Sequence, residues 1–256
     1  MPKTPRGFFW YELITTDVKA AEAFYSAVVG WRGEAFGGQF MNYIVMNAAD
    51  RGAAGIMEIP DEAKAMGEGP TWLGYIRSDD VDAAVESLRQ AGGKVYREPE
   101  DIPKIGRFAV VADPQGVAFM LMTPNGPDQP PVAAGTPGHI GWHELLAVDD
   151  KSAFDFYAGQ FGWTKGDAMD MGEMGTYQLV AWGGEPAGAI MAKPAYVPAP
   201  YWQFYFNVPA LDAAIETVKA QGGTLLFEPM EVPGGSWIVQ GKDPQGAIFA
   251  LLAPKR

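Results

Sequence analysis

The stretch WYELITTDVKAAEAFYSAVVGW, Trp10–Trp31, returns as WHELLAVDDKSAFDFYAGQFGW, Trp142–Trp163, with no gap between the two. Three more stretches return in the same order. AAGIMEIP (Ala53–Pro60) answers PAGAIMAKP (Pro186–Pro194). PTWLGYIRSDDVDAAVESLRQAGGKVYREP (Pro70–Pro99) answers PYWQFYFNVPALDAAIETVKAQGGTLLFEP (Pro200–Pro229), and DPQGVAFMLMTP (Asp113–Pro124) answers DPQGAIFALLAP (Asp243–Pro254). A constant order at a nearly constant offset is a tandem duplication. It divides the 256 residues into a first domain, 1–124, a linker, 125–137, and a second domain, 138–256. The segment Pro124–Gly138 carries five prolines and three glycines, which continue neither a helix nor a central strand.

Each copy divides again. FFWYELIT alternates and is rich in aromatic and β-branched residues, which predicts a strand. Asp17 is placed to cap the helix that follows, Ala20, Phe24 and Val28 share one face of it, and Gly30 suits the left-handed position past its end. Shorter strands are expected at MNYIVMN and AAGIMEI. The pattern then restarts: strand TWLGYI, a helix capped near Asp79 or Asp80 with Val81, Val85 and Leu88 as its apolar stripe, a stop at Gly92–Gly93, and strands near KVYRE, RFAVVA and GVAFMLM. A strand, a helix and two or three strands thus recur four times, in an α+β chain.

Composition excludes several classes. There is no cysteine, so disulfides, thiol nucleophiles and Cys-ligated metals are ruled out. The net charge of −12 makes a nucleic-acid partner improbable and favours a cationic small ligand, although solubility alone also explains it. No apolar run reaches the ~20 residues that span a bilayer, and the N-terminus has no signal-peptide pattern, so a cytoplasmic protein that does not engage membranes is expected. Nucleophile-elbow, phosphate-loop and dinucleotide motifs are missing.

The combination strand–Asp–helix–FY–x(4)–GW, then W-x-x-Y/F, GG and DPQGxxFxLL, resembles the vicinal oxygen chelate superfamily of glyoxalases, bleomycin-resistance proteins and extradiol dioxygenases. Within it the two-copy, glyoxalase-like branch is closest in pattern, the branch of lactoylglutathione lyase and Cfp30B-type proteins. The resemblance implies that each copy is two paired βαβββ modules forming a curved sheet around a cavity, with helices outside. It also implies where metal ligands would stand. Carried over, those positions fall at Trp10, Trp72, Met120 and Met57 or Glu58 in the first copy, and at Trp142, Trp202, Ala250 and Met191 or Ala192 in the second. Indole offers no lone pair and methionine is soft. Only Glu58 remains as a weak candidate, so no metal or other cofactor is expected. His139 lies at the linker's edge, and alternation turns His143 to the face opposite Trp142.

Glu12 and Glu144 each lie two residues after the tryptophan of this position, on its strand face. Either is an acid/base candidate, an anchor for a ligand amine or hydroxyl, or a carboxylate bonded internally to a Tyr, a backbone N–H or an Arg. The walls expected around them are Trp10, Tyr43, Trp72 and Met120 in the first copy, and Trp142, Tyr177, Trp202, Phe204 and Trp237 in the second. Phe24, Tyr25, Tyr75, Phe119, Phe156, Tyr157, Tyr205 and Phe249 are read as core beneath the helices. The leading reading is a binder of a small aromatic or cationic organic molecule that works without the usual metal. The alternative is a glyoxalase-type lyase or isomerase, or a dioxygenase, with a rearranged metal site or with Glu as acid/base. A third is a structural protein whose cups are filled by these side chains. Module pairing within a monomer and across a homodimer both remain open.

Overall fold

A computed structural model describes residues 6–36, 42–126 and 129–256. Met41 of the expected MNYIVMN strand, Pro127 and Asp128 of the linker, and the first five residues lie outside the described residues. Four modules follow one another. Module A is β1 (Phe8–Thr15), α1 (Val18–Val29), β2 (Arg32–Phe36), β3 (Tyr43–Ala48) and β4 (Arg51–Glu58); the short α2 (Asp61–Ala65) leads out of it. Module B is β5 (Thr71–Arg77), α3 (Val81–Gln90), β6 (Lys94–Ile102), β7 (Gly106–Ala112) and β8 (Ala118–Pro124). Module C is β9 (Ile140–Ala147), α4 (Asp150–Phe161), β10 (Thr164–Asp170), β11 (Thr176–Ala181) and β12 (Pro186–Ala192). Module D is β13 (Tyr201–Asn207), α5 (Leu211–Ala220), β14 (Thr224–Leu225), β15 (Met230–Glu231), β16 (Trp237–Lys242) and β17 (Ile248–Ala253). No helix among the described residues is long and apolar enough to cross a membrane.

The helix ends form as their residues dictate. Asp17, Asp80 and Asp149 sit in extended backbone and accept from Ala20 N, Ala83 N and Ser152 N, satisfying N–H groups that a first turn leaves unpaired. Gly30 and Gly162 end α1 and α4 in the left-handed conformation. In every module the first strand is parallel to the last: β1 with β4, β5 with β8, β9 with β12 and β13 with β17. The strands order as β2-β3-β4-β1-β5-β8-β7-β6 in the first copy and β10-β11-β12-β9-β13-β17-β16-β14 in the second, with β15 on β16.

The compact units do not coincide with the sequence copies. One gathers module A from Trp10 onward, Pro131–Trp142 and module D from Gln203. The other gathers module B from Leu73, module C from His143, and the described residues up to Phe9. In the first of these, Tyr25 of α1 donates to Asp243 Oδ2 at 3.1 Å and accepts from Trp72 Nε1 at 2.9 Å. In the other, Tyr157 of α4 donates to Asp113 Oδ2 at 3.3 Å and accepts from Trp202 Nε1 at 2.9 Å. Both aspartates belong to DPQG turns. Their Oδ1 atoms bind the turn's own backbone, Gln115 N and Val117 N for Asp113, Gln245 N and Ala247 N for Asp243. Gln115 adds an amide clamp on the start of α4: its Oε1 accepts from Val148 N and Asp149 N, and its Nε2 donates to Asp149 O. The GW tryptophans reach back in the same crossed way, Trp31 Nε1 to Gly138 O and Trp163 Nε1 to Arg6 O, both at 2.6 Å. The repeated FY, GW and DPQG residues therefore hold modules of opposite copies together, and the W indoles tie each FY tyrosine to the next module of its own copy.

Candidate functional site

On β1 the side chains of Leu13 and Glu12 point to opposite faces. Leu13, with Ile44, Met46 and Ile56, forms the core under α1. Glu12 stands on the helix-free face, 4% exposed, in register with Gly55 of β4, which is flanked by Val45 of β3. Tyr43 reaches over β4 toward Glu12; an ideal Cβ on Gly55 would lie 1.9 Å from the Tyr43 hydroxyl. That hydroxyl accepts from Trp10 Nε1 at 3.2 Å and is hydrogen-bonded to Glu12. Burial, and after it the charge of Glu12, lifts the Tyr43 hydroxyl well above the usual phenol range.

Module C repeats the pairing. Glu144, 8% exposed, is in register with Ala189, and Tyr177 Oη donates to Glu144 Oε2 at 2.9 Å. Tyr201 lies close enough to feel Glu144; burial first, then Glu144 and Tyr196, pushes its hydroxyl up to about 12. In the same unit an open depression of about 450 Å³ is bounded by the Glu173–Gly175 turn and the segment Ala192–Tyr196. A buried carboxylate that accepts a phenolic O–H can anchor a cation or a ligand donor, or pass a proton.

The expected walls divide between two faces. Trp10, Tyr43 and Tyr177 gather with the glutamates, and Trp142 is half-buried two residues before Glu144 on β9. Trp72 and Trp202 do not line a ligand wall. Their indole N–H groups are committed to Tyr25 and Tyr157, in cores where Trp72 also meets Trp31 and Phe206, and Trp202 meets Trp163. Phe204 is likewise buried, against Tyr11. The expectation was one residue out of phase on β5 and β13, and a one-residue slip exchanges every side chain between faces. Tyr75 and Tyr205 hold the opposite face instead. Tyr75 pairs in register with Met120, which keeps its expected face, and Tyr205 accepts from Gln240 Nε2 at 3.0 Å. Trp-x-x-Tyr offers an aromatic residue to either face, so only Leu73 and Gln203, between them in sequence, could have signalled the phase. Trp237 is half-buried and carries the chain's own Arg256 guanidinium 5.1 Å above its ring.

The donor set does not fit the superfamily's metal. Glu58, the weak candidate, is half exposed, ion-paired to Lys64 Nζ at 2.8 Å, and turned away from Met57 and the face of Glu12. His143 lies in an aromatic core, its Nδ1 2.8 Å from Ala187 O. No three His, Asp or Glu side chains converge among the described residues. Trp10, Met57, Trp142 and Met191 stand where hard ligands would be needed.

Four βαβββ modules with a parallel first and last strand, paired in two copies, define a duplicated α+β protein of the vicinal-oxygen-chelate type. The chain belongs to the Glyoxalase/Bleomycin resistance protein/Dioxygenase superfamily, whose model matches residues 7–121 and 136–251. It is 32% identical over 249 residues, 96% of this chain and 94% of the relative, to CFP32 of Mycobacterium tuberculosis, a protein whose name proposes a glyoxylase. It is 29% identical to the anthracycline biosynthesis protein DnrV of Streptomyces peucetius, across 95% of this chain and 91% of the relative. Its fold is shared with the Mn(II)-bound glyoxalase of Novosphingobium aromaticivorans, at a TM-score of 0.66 and 17% identity, covering 99% of this chain and 83% of that one. Homoprotocatechuate 2,3-dioxygenase of Brevibacterium fuscum shares it too, at a TM-score of 0.67 and 15% identity, covering 98% and 81%.

Proposed function

We propose that the chain binds a small aromatic or cationic organic molecule on the helix-free face that carries Glu12 or Glu144, and that it does so without a metal. The observation that carries this reading is a buried carboxylate on the helix-free face in both copies, with a half-buried tryptophan two residues before it on the same strand; each carboxylate also takes the internal tyrosine bond that a purely structural group would take. Ring walls with one negative group suit a planar or positively charged ligand. The acidic surface works in the same direction, raising the local concentration of cations and keeping nucleic acids away. A relative named for anthracycline biosynthesis accords with organic small-molecule chemistry.

Titration of the intrinsic tryptophan fluorescence against planar cations, planar neutral compounds and planar anions tests the reading. Saturable quenching is expected for the cations, and Glu12→Gln or Glu144→Gln should weaken it by about 1–3 kcal/mol, the range for losing a hydrogen bond to a charged group. If nothing in the panel saturates, the binding role is wrong. Metal analysis of protein purified without a His-tag is expected to find no divalent ion near one per chain; finding one would favour the second reading, a glyoxalase-type lyase or isomerase. The name of CFP32 supports that second reading, and the Glu–Tyr pairs would then act as acid and base.

A further inference from the structure

On the face that holds the glutamate, module A has glycine at two positions where module C has a larger residue. The β3–β4 and β11–β12 ladders share one irregularity, after Met46 in the first and after Val180 in the second. It aligns them residue by residue: Gly55 corresponds to Ala189 and Gly52 to Pro186. Neither glycine has a positive φ, so the backbone would accept a side chain at both. Their neighbours supply the reason for glycine. An ideal Cβ on Gly52 would stand 3.2 Å from both Cη2 and Cζ3 of Trp10, and one on Gly55 would run into the Tyr43 hydroxyl. The Trp10 indole therefore lies along a bare stretch of β4, its six-membered ring on Gly52 and its N–H at Tyr43, above Gly55. It remains half-buried, so part of the ring surface stays open.

We infer that module A, not module C, carries the working stacking platform: Trp10, seated on Gly52 and tied through Tyr43 to Glu12, receives a planar aromatic cation. The indole's lower side is filled by backbone and its N–H is already satisfied, so what remains for a ligand is π surface next to a carboxylate. That combination favours a flat ring with positive charge over a flat anion or a cation without a ring. Gly52 and Gly55 act as positioning residues that let the indole and the phenol lie down. Ala189 shows that the Tyr–Glu bond survives a methyl group at this place, since Tyr177 still reaches Glu144 at 2.9 Å. Gly55→Ala is thus expected to leave Tyr43 near Glu12 while displacing it from the Trp10 N–H. The inference rests on the binding role proposed above and adds which copy binds and what ligand shape it accepts.

Proflavine, a planar aromatic cation, is the probe, and the assigned indole ¹H–¹⁵N resonances of the eight tryptophans are the readout. On titration the Trp10 resonance is expected to shift saturably while that of Trp142 stays in place, and tetramethylammonium should move neither. Gly52→Ala should weaken proflavine by about tenfold, the worth of one stacked cation contact, with the thermal unfolding midpoint retained. If Trp142 responds and Trp10 does not, the platform is misplaced although the binding role stands. If Gly52→Ala binds as the unaltered protein does, the platform claim fails. If no indole resonance moves with any probe, both claims fail.

Discussion

At His143 the ring is stacked on Phe8 at 5.1 Å and 8°, with Trp182 edge-on at 5.0 Å and the Ala187 carbonyl on Nδ1. Burial lowers its pKa to about 4, against 6.5 in the unfolded chain, and the carbonyl bond only partly offsets this. Below pH 6.5 the unfolded chain therefore takes up a proton that the native state refuses until about pH 4. Stability falls across that window, by about 3 kcal/mol when complete. Urea midpoints measured from pH 7 down to pH 4 should show the fall, and His143→Leu should flatten it. An unchanged slope in that variant would remove the assignment. Asp113 and Asp243 have the opposite sign. Burial raises their pKa values, so the native state binds their protons first and gains stability as those groups titrate at lower pH. Comparing the variant with the unaltered protein separates the two effects.

Among the elements, α1 and α4 matter most for cohesion, because each meets a DPQG turn from the other copy. Tyr157→Phe removes the hydroxyl that satisfies Trp202 Nε1–H and Asp113 Oδ2 together, leaving two buried polar groups short of a partner. A loss of about 2 kcal/mol is expected in chemical denaturation, with a similar loss for Tyr25→Phe. Unchanged midpoints in both variants would show that these triads add nothing to cohesion. Among the described residues the strands and helices expected from sequence form, and the predicted caps at Asp17, Gly30 and Asp80 are in place. β2 and α2 leave no mark in the sequence for a plain reason. β2 is almost wholly exposed and α2 buries no residue, so neither carries the apolar periodicity that marks an element in sequence.

For the molecule as a whole, the crossing of modules means that neither copy is self-sufficient. A chain cut to residues 138–256 keeps Asp243 and Tyr157 but lacks Tyr25 and Asp113, their partners in the full protein. Sedimentation velocity on this fragment should find a dimer, in which the second copy supplies both roles, or an unfolded chain. A folded monomer would mean that each copy closes on itself with ease.

The duplication and the four modules could be read from residues, because period and spacing are local properties, and the resemblance of the repeated motifs supplied the superfamily and the strand face of the two glutamates with Tyr43 and Tyr177. Face assignment on β5 and β13 could not, since Trp72 and Tyr75 are both aromatic and apolar enough for a core. Nor could the partner of each helix. Tyr25 has two equal claims in sequence, Asp113 and Asp243, because both copies write DPQG. Near-identical surfaces give local patterns no basis for choosing between a copy's own module and its counterpart. The packing of α1 against α5 and of α3 against α4 makes that choice, and it selects Asp243.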